Sequence, residues 1–200
     1  MFDKKVLIID IDDTIINFGP HWIYRLNERY GTNVNYNDVD CWDVSRFFPT
    51  LTKEQVYSII TESDFYKDVP IIYEAYYYLK LLKEEGYKIV LCSSSSYKNL
   101  QNKLEDCVFK WFDFLSWENV VICKDKSVIK GDVMIDDGVH NLWNFDGVKI
   151  MPNKPHNQDA YIRSLVASEE DVNIANSIIR NYTWEEIYNT VHKECPINEK

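Results

Sequence analysis

The sequence predicts an α/β fold: a central parallel sheet flanked by helices, with a small helical cap inserted after the first strand. Three observations carry this. Short apolar runs recur along the chain, at Val6 to Ile9, Tyr87 to Cys92, Val120 to Cys123, Val133 to Ile135 and Val148 to Met151. A run with no polar alternation suits a strand buried on both faces. Helically spaced segments separate these runs, and strands alternating with helices predict parallel pairing through right-handed crossovers. The connection between the first two strands is far longer than one helix needs. Its surplus, residues 18–70, is expected to form the cap over the carboxyl ends of the strands, leaving 1–17 and 71–200 as the core.

In chain order, Val6 to Ile9 runs into Asp10-Ile11-Asp12-Asp13-Thr14. Pro20 then stands where a first helical position would be and Gly31 where a stop would be, with Trp22, Ile23, Leu26 and Tyr30 near helical spacing. Residues 32–50 have no clear period and are expected to be loop with a short helix. Thr52 and Gln55 match a capping box, opening a helix to about Ser63. Pro70 precedes a helix over 71–85 that Gly86 closes, with Tyr76, Leu79, Leu82 and Lys83 on one face. After the second strand come four serines, then a helix from about Tyr97 that turns Leu100, Leu104, Cys107, Val108 and Trp111 inward. A short turn of helix precedes the fifth strand, and Thr183 caps a final helix starting at Trp184.

Composition narrows the function. A net charge of −10 argues against polymeric nucleic acid as a partner, because that affinity comes largely from Lys and Arg on phosphates. A small phosphorylated ligand needs only a local positive site. No apolar run approaches membrane-spanning length. The amino terminus passes straight into the first strand with no room for a signal peptide, so a cytoplasmic location is expected. The five cysteines include no CxxC pair and are expected to be reduced, Cys92 and Cys123 in buried strands. The four histidines show no metal-ligand spacing.

Three carboxylates within four positions at the first strand end need an explanation. Two like charges about 4 Å apart repel by about 4 kcal/mol at an effective dielectric near 20. A cation relieves this, and hard oxygen donors suit Mg²⁺. The other strand ends supply further parts: Ser93-Ser94 after the second, Lys126 after the third, Asp136-Asp137 after the fourth. Each has an ordinary alternative, as helix cap, solvated lysine or acidic turn. In sequence order and at converging strand ends, they point together to phosphoryl transfer.

This arrangement resembles the haloacid dehalogenase (HAD) superfamily of phosphatases, with Asp10-Ile11-Asp12-Asp13-Thr14, Ser93, Lys126 and Asp136-Asp137 matching its four motifs in order. Within it the chain is similar to the 5'(3')-deoxyribonucleotidases. Asp10 through Phe18 fits their DxDxxxxxF pattern, Lys124 to Val128 their third motif, and Ile135-Asp136-Asp137 their fourth; His156-Asn157-Gln158 recurs after the fifth strand. The resemblance implies a HAD-like Rossmannoid three-layer core and a Mg²⁺-dependent phosphomonoesterase for deoxyribonucleoside 5'- or 3'-monophosphates. It further implies Asp10 as nucleophile and Asp12 as acid and base. The metal would be held by Asp10, Asp12 (through its backbone carbonyl) and Asp137, with Asp136 in support. Ser93, Ser94 and Lys126 would hold phosphate, and Phe18 and the cap residue Trp42 would cover sugar and base. The chain departs from the family in having Asp13 where Gly is frequent, Cys41 and Ile60 at aromatic cap positions, and Gly138-Val139 in place of Arg-Pro. The departures bear on base preference.

The expected partner is a small-molecule nucleotide, and the aromatic-rich helix at 71–85 offers a surface for a homodimer. Competing readings are a HAD phosphatase for a sugar or cofactor phosphate, a catalytically silent phosphate-binding module, and a DxD glycosyltransferase. The last would not require Ser93, Lys126 and a second acidic strand end.

Overall fold

A computed structural model describes residues 4–95 and 98–197. Six parallel strands form one sheet: β1 (Val6–Ile9), β2 (Lys88–Ser93), β3 (Val120–Ile122), β4 (Val133–Ile135), β5 (Val148–Pro152) and β6 (Ile178–Asn181), in the order β3-β2-β1-β4-β5-β6. The strand order reverses between β1 and β4. In open α/β sheets a ligand crevice opens at the carboxyl end of such a switch point.

Alternation along the strands divides the core between two faces. Leu7, Ile9, Ile89, Leu91, Val133, Ile135 and Ile150 join one buried cluster, while Ile8, Cys92, Met134 and Met151 join the other. Each fully buried aliphatic side chain contributes about 1.5–3 kcal/mol relative to exposure. The first cluster runs on into residues 18–70 through Trp22, Leu26, Phe48, Val56 and Phe65, so these residues share a core with the sheet.

The insert is helical. It comprises α1 (Phe18–Tyr30), α2 (Lys53–Ser58) and short 3-10 turns at Tyr36–Asp38, Val44–Phe47, Ile59–Thr61 and Phe65–Asp68. α1 starts two residues before Pro20, which therefore lies within the first turn, where its missing N–H is harmless. Gly31 ends α1 in the left-handed conformation, φ 63°. The capping boxes at Thr52 and Thr183 are both formed. α2 stops at Ser58, earlier than expected, and continues as a 3-10 turn. The chain leaves and re-enters the sheet side by side: Ile16 bridges Ile71, Asn17 N donates to Pro70 O at 2.8 Å, and Ile72 N donates to Ile15 O at 2.8 Å. That pairing delays the next helix, α3 (Tyr73–Glu84), beyond its expected start at 71.

The next helix, α4, joins Leu100–Asn102, Lys103–Val108 and Phe109–Trp111, with the middle six residues π-helical. Its expected start at Tyr97 lies outside the described residues. Leu104, Cys107 and Val108 are buried, but Trp111 is 48% exposed: the π turn carries it past the inward face. Cys92 is buried in β2, whereas Cys123 lies beyond the end of β3 and is only half-buried. The remaining helices are α5 (Val139–Trp143), α6 (Asp159–Leu165), α7 (Glu169–Ser177) and α8 (Trp184–Glu194), with α3 and α8 packed together. Strand β6 and helices α6 and α7 were not expected. The two helices bury no residue and β6 is an edge strand, so no apolar period marks them. Among the described residues no helix is long and apolar enough to cross a membrane.

Candidate active site

The sheet ladder continues past the strand ends and fixes the first functional groups. Asp10 N donates to Ile135 O at 2.9 Å, and Asp136 N donates to Ile150 O at 3.1 Å, so these aspartates leave adjacent strands side by side. Cys123 N does the same with Ser93 O at 3.0 Å. The turn after Asp10 is held from outside by Trp184, whose indole N–H donates to Thr14 O at 3.1 Å. Within it, Asp13 takes φ 53° and is the one non-glycine residue with positive φ among those described. A non-glycine side chain in that region carries strain. Its carboxylate accepts from Gly19 N at 2.9 Å and so ties the turn to the start of α1.

Lys126 lies between the two aspartates. Its ammonium bonds to Asp10 Oδ1 and, at 2.6 Å, to Asp136 Oδ2. Asp136 is further held by Gly138 N at 2.8 Å and Asn141 Nδ2 at 2.9 Å. A Cβ at position 138 would meet Asp136 Oδ1 at 2.9 Å, so glycine lets this carboxylate sit close against the backbone. Asp137 points the other way, its Oδ2 2.7 Å from His156 Nε2. His156 comes in on the turn after β5, where Asn157 Nδ2 donates to the carbonyls of Asp137 and Pro152.

The electrostatics are those of an anionic cluster short of cations. Burial, then the neighbouring Asp10, pushes Asp136 up to about 7. The same two causes push Asp137 well above the usual carboxylate range. Burial, then Asp137, pushes Asp13 up to about 7. Burial alone would lower the Lys126 ammonium, but Asp10 and Asp136 outweigh it and hold it above its ordinary value. Burial lowers His156.

This is where a divalent cation fits. Oxygens of Asp10, Asp136 and Asp137 lie within 4.8 Å of one another, all three residues buried. Asp13, Asp137 and His156 form a second such group, bringing in a histidine that sequence spacing did not mark. The hard oxygen donors and their excess of negative charge over the single Lys126 ammonium suit a divalent cation.

A cavity opens above these groups. Asp10, Asp12, Asp13, Ser94, Lys126, Asp136 and Asp137 form its floor, and Phe18, Trp22, Tyr36, Cys41 and Trp42 its wall. Trp42, 38% exposed, places its ring 4.5 Å from that of His156 and 5.3 Å from that of His140. Phe18 also packs on Trp22, Phe65 and Tyr66, serving core and cavity together. Ser93 is buried behind this surface, its hydroxyl 2.8 Å from Lys103 Nζ. The helix after β2 starts only at Leu100.

Sequence reasoning missed Lys103, which bonds Asp12 Oδ2 at 2.5 Å. Its signal was a lysine three positions after Leu100 and next to Leu104, on an otherwise inward apolar stripe. Tyr36 and Asn141, also at the site, carried no comparable signal.

The arrangement can place a nucleophilic carboxylate, a second carboxylate, an ammonium and a divalent cation around one phosphoryl group. The model of a family described as "5' nucleotidase, deoxy (Pyrimidine), cytosolic type C protein" matches residues 4–181. The 5'(3')-deoxyribonucleotidase of Bacillus subtilis (strain 168) is 31% identical over 185 residues, covering 92% of this chain and 96% of the relative. The 5'(3')-deoxyribonucleotidase of Clostridium acetobutylicum is 29% identical over 156 residues, covering 78% and 86%. Among solved structures, a HAD family hydrolase from Deinococcus radiodurans R1 with bound phosphate and sodium superposes with a TM-score of 0.62 at 12% identity, covering 98% of this chain and 99% of that one. At that identity the likeness is one of fold.

Proposed function

Because the chain belongs to the family of deoxy (pyrimidine), cytosolic type C 5'-nucleotidases, we propose that it is a Mg²⁺-dependent phosphomonoesterase that dephosphorylates deoxyribonucleoside 5'- or 3'-monophosphates. The observation that supports this most is the meeting of Asp10 and Asp136 at the switch point of the sheet, joined by Lys126 beneath an aromatic-walled cavity.

In this reading Asp10 attacks phosphorus in line and forms an aspartyl-phosphate, splitting one hard displacement into two easier ones. Asp12 gives a proton to the departing ester oxygen and then takes one from the water that hydrolyses the intermediate. Mg²⁺ would be held by Asp10, the backbone carbonyl of Asp12 and Asp137, with Asp136 in support, and when bound it supplies charge neutralisation and polarisation of the phosphoryl group. Lys126 adds fixed positive charge on the nucleophile's side of the site, and Ser94 faces the phosphate position. Phe18 and Trp42 cover sugar and base. The same reading carries a cytoplasmic location and a homodimer through α3, where Tyr73 and Tyr77 are exposed; light scattering tests the latter.

The test is phosphate release from deoxyribonucleoside and ribonucleoside 5'- and 3'-monophosphates and from sugar phosphates, with Mg²⁺ and with chelator. Mg²⁺-dependent release favouring deoxyribonucleotides is expected. Preference for a sugar phosphate would keep the mechanism and replace the substrate. No release from any ester would make the chain a silent phosphate-binding module.

A further inference from the structure

The site holds two buried lysines, and they are committed differently. Lys126 lines the cavity and bonds Asp10 and Asp136. Lys103 does not line it. Fully buried at the first residue of the π-helical stretch of α4, it spends its ammonium on Asp12 Oδ2 at 2.5 Å, Ser95 Oγ at 2.7 Å and Ser93 Oγ at 2.8 Å. An ammonium has three N–H donors, so none is left over for phosphate. The Tyr66 ring, 5.5 Å away, closes the remaining side. A π turn inside an α-helix is frequently a functional device, and here it falls where Lys103 reaches across to β1's end. Asp12 shows the other half of the arrangement: Oδ2 is held by Lys103, while the side chain stays 33% exposed and lines the cavity.

We propose that Lys103 is a positioning residue for Asp12, its ammonium holding the carboxyl in the orientation from which protons pass to and from the reacting groups during turnover. The inference rests on the phosphomonoesterase reading above. In the first step an Asp10 carboxylate oxygen bonds to phosphorus, the ester P–O bond breaks, and the proton on the Asp12 carboxyl goes to the leaving alkoxide. In the second, water oxygen bonds to phosphorus, the bond between the Asp10 oxygen and phosphorus breaks, and a water proton returns to the Asp12 carboxyl. The sum is ester plus water to alcohol plus phosphate, with Lys103 unchanged. The two serines complete the ammonium's shell, which makes Ser93 a support for the acid–base group.

The test uses Lys103→Met with two substrates. With a deoxyribonucleoside monophosphate, whose alkoxide needs a proton to leave, kcat is expected to fall about 10²–10³-fold, with KM changed less than about threefold. With p-nitrophenyl phosphate, whose phenolate leaves without a proton, a burst of one p-nitrophenol per enzyme should precede slow turnover, because only hydrolysis of the phosphoenzyme still needs Asp12. In an Asp12→Ala background, Lys103→Met should add nothing. Lys103→Gln, which keeps a donor, should recover part of kcat and carries the test if the Met variant shows no cooperative unfolding. A raised KM with kcat kept would make Lys103 a phosphate contact and overturn the proposal. So would equal kcat losses on both substrates without a burst, or an additive effect in the Asp12→Ala background. Failure of the underlying reading is separate: it would show as wild-type enzyme that hydrolyses no ester.

Discussion

The floor and the wall of the cavity are built by different means. The floor is an extension of the sheet ladder: Asp10 and Asp136 are placed by backbone hydrogen bonds that any parallel sheet would make. Its side chains are charged, and their positions relative to one another follow from strand order. The wall is an insertion of two helices and four short turns, held by aromatic packing among Phe18, Trp22, Phe65 and Tyr66. In the function proposed above, chemistry that tolerates little misplacement falls to the rigid element, and substrate selection to the part whose shape follows side-chain volume. Their acids differ too. Floor carboxylates Asp13 and Asp136 are pushed up to about 7 by burial, whereas Asp43 in the insert is drawn down to about 2, chiefly by hydrogen bonds from Ser45 and Lys53.

The largest effect should come from breaking the floor. Asp10→Asn is expected to lower phosphate release by about 10⁴-fold or more while circular dichroism stays unchanged; retained activity would remove Asp10 as nucleophile. Lys126→Ala should slow turnover and, in the metal-free chain, lower unfolding stability by about 3–5 kcal/mol, because Asp10 and Asp136 are left facing each other. Denaturant titration measures this. A wall substitution should behave otherwise: Trp42→Ala is expected to raise KM for nucleotides about tenfold, the worth of one lost stacking contact. Inhibition by inorganic phosphate should barely move.

The smallest and most discriminating effect is in pH. Asp13 is raised in the folded chain relative to about 3.9 unfolded. Between these values the native state holds a proton the unfolded state lacks, so this group lowers stability as pH rises from about 4 to about 7. Metal-free Asp13→Asn should therefore gain in Tm over wild type across that interval. Asp43 has the opposite sign. Its contribution is present above about 4 and lost as pH falls toward about 2, so the deficit of Asp43→Asn should shrink in acid. Equal pH trends for the two variants would erase the distinction between floor and wall.

The same division decides what could be read in the sequence. The strands β1 to β5 and the carboxylates ending β1 and β4 were legible because continuous apolar runs mark doubly buried strands and a charged residue marks where each stops. Lys103 showed only as a lysine on an inward apolar stripe; its reach to Asp12 depends on a π turn that no residue pattern announces. Asp13 was visible only as a third acid; its tie to Gly19 arises from a left-handed turn and the return of α1. Trp42 was placed by resemblance and not by periodicity, as the turns around it have none. Strand β6 and helices α6 and α7 lie at the sheet edge, where too little is buried to impose a pattern.

The paired passage at Ile16 and Ile71 has a consequence for how such a protein can change. Because the chain departs from the sheet and returns to it at neighbouring backbone positions, everything from Phe18 to Pro70 is, topologically, a single excursion from one doorway. An excursion of different length or sequence could be exchanged there without altering a strand connection, since closing a longer loop adds only about 0.6 kcal/mol per doubling. The shared apolar cluster is what such a graft would have to match. One phosphate-handling base could in this way be fitted with successive lids, each admitting a different ester.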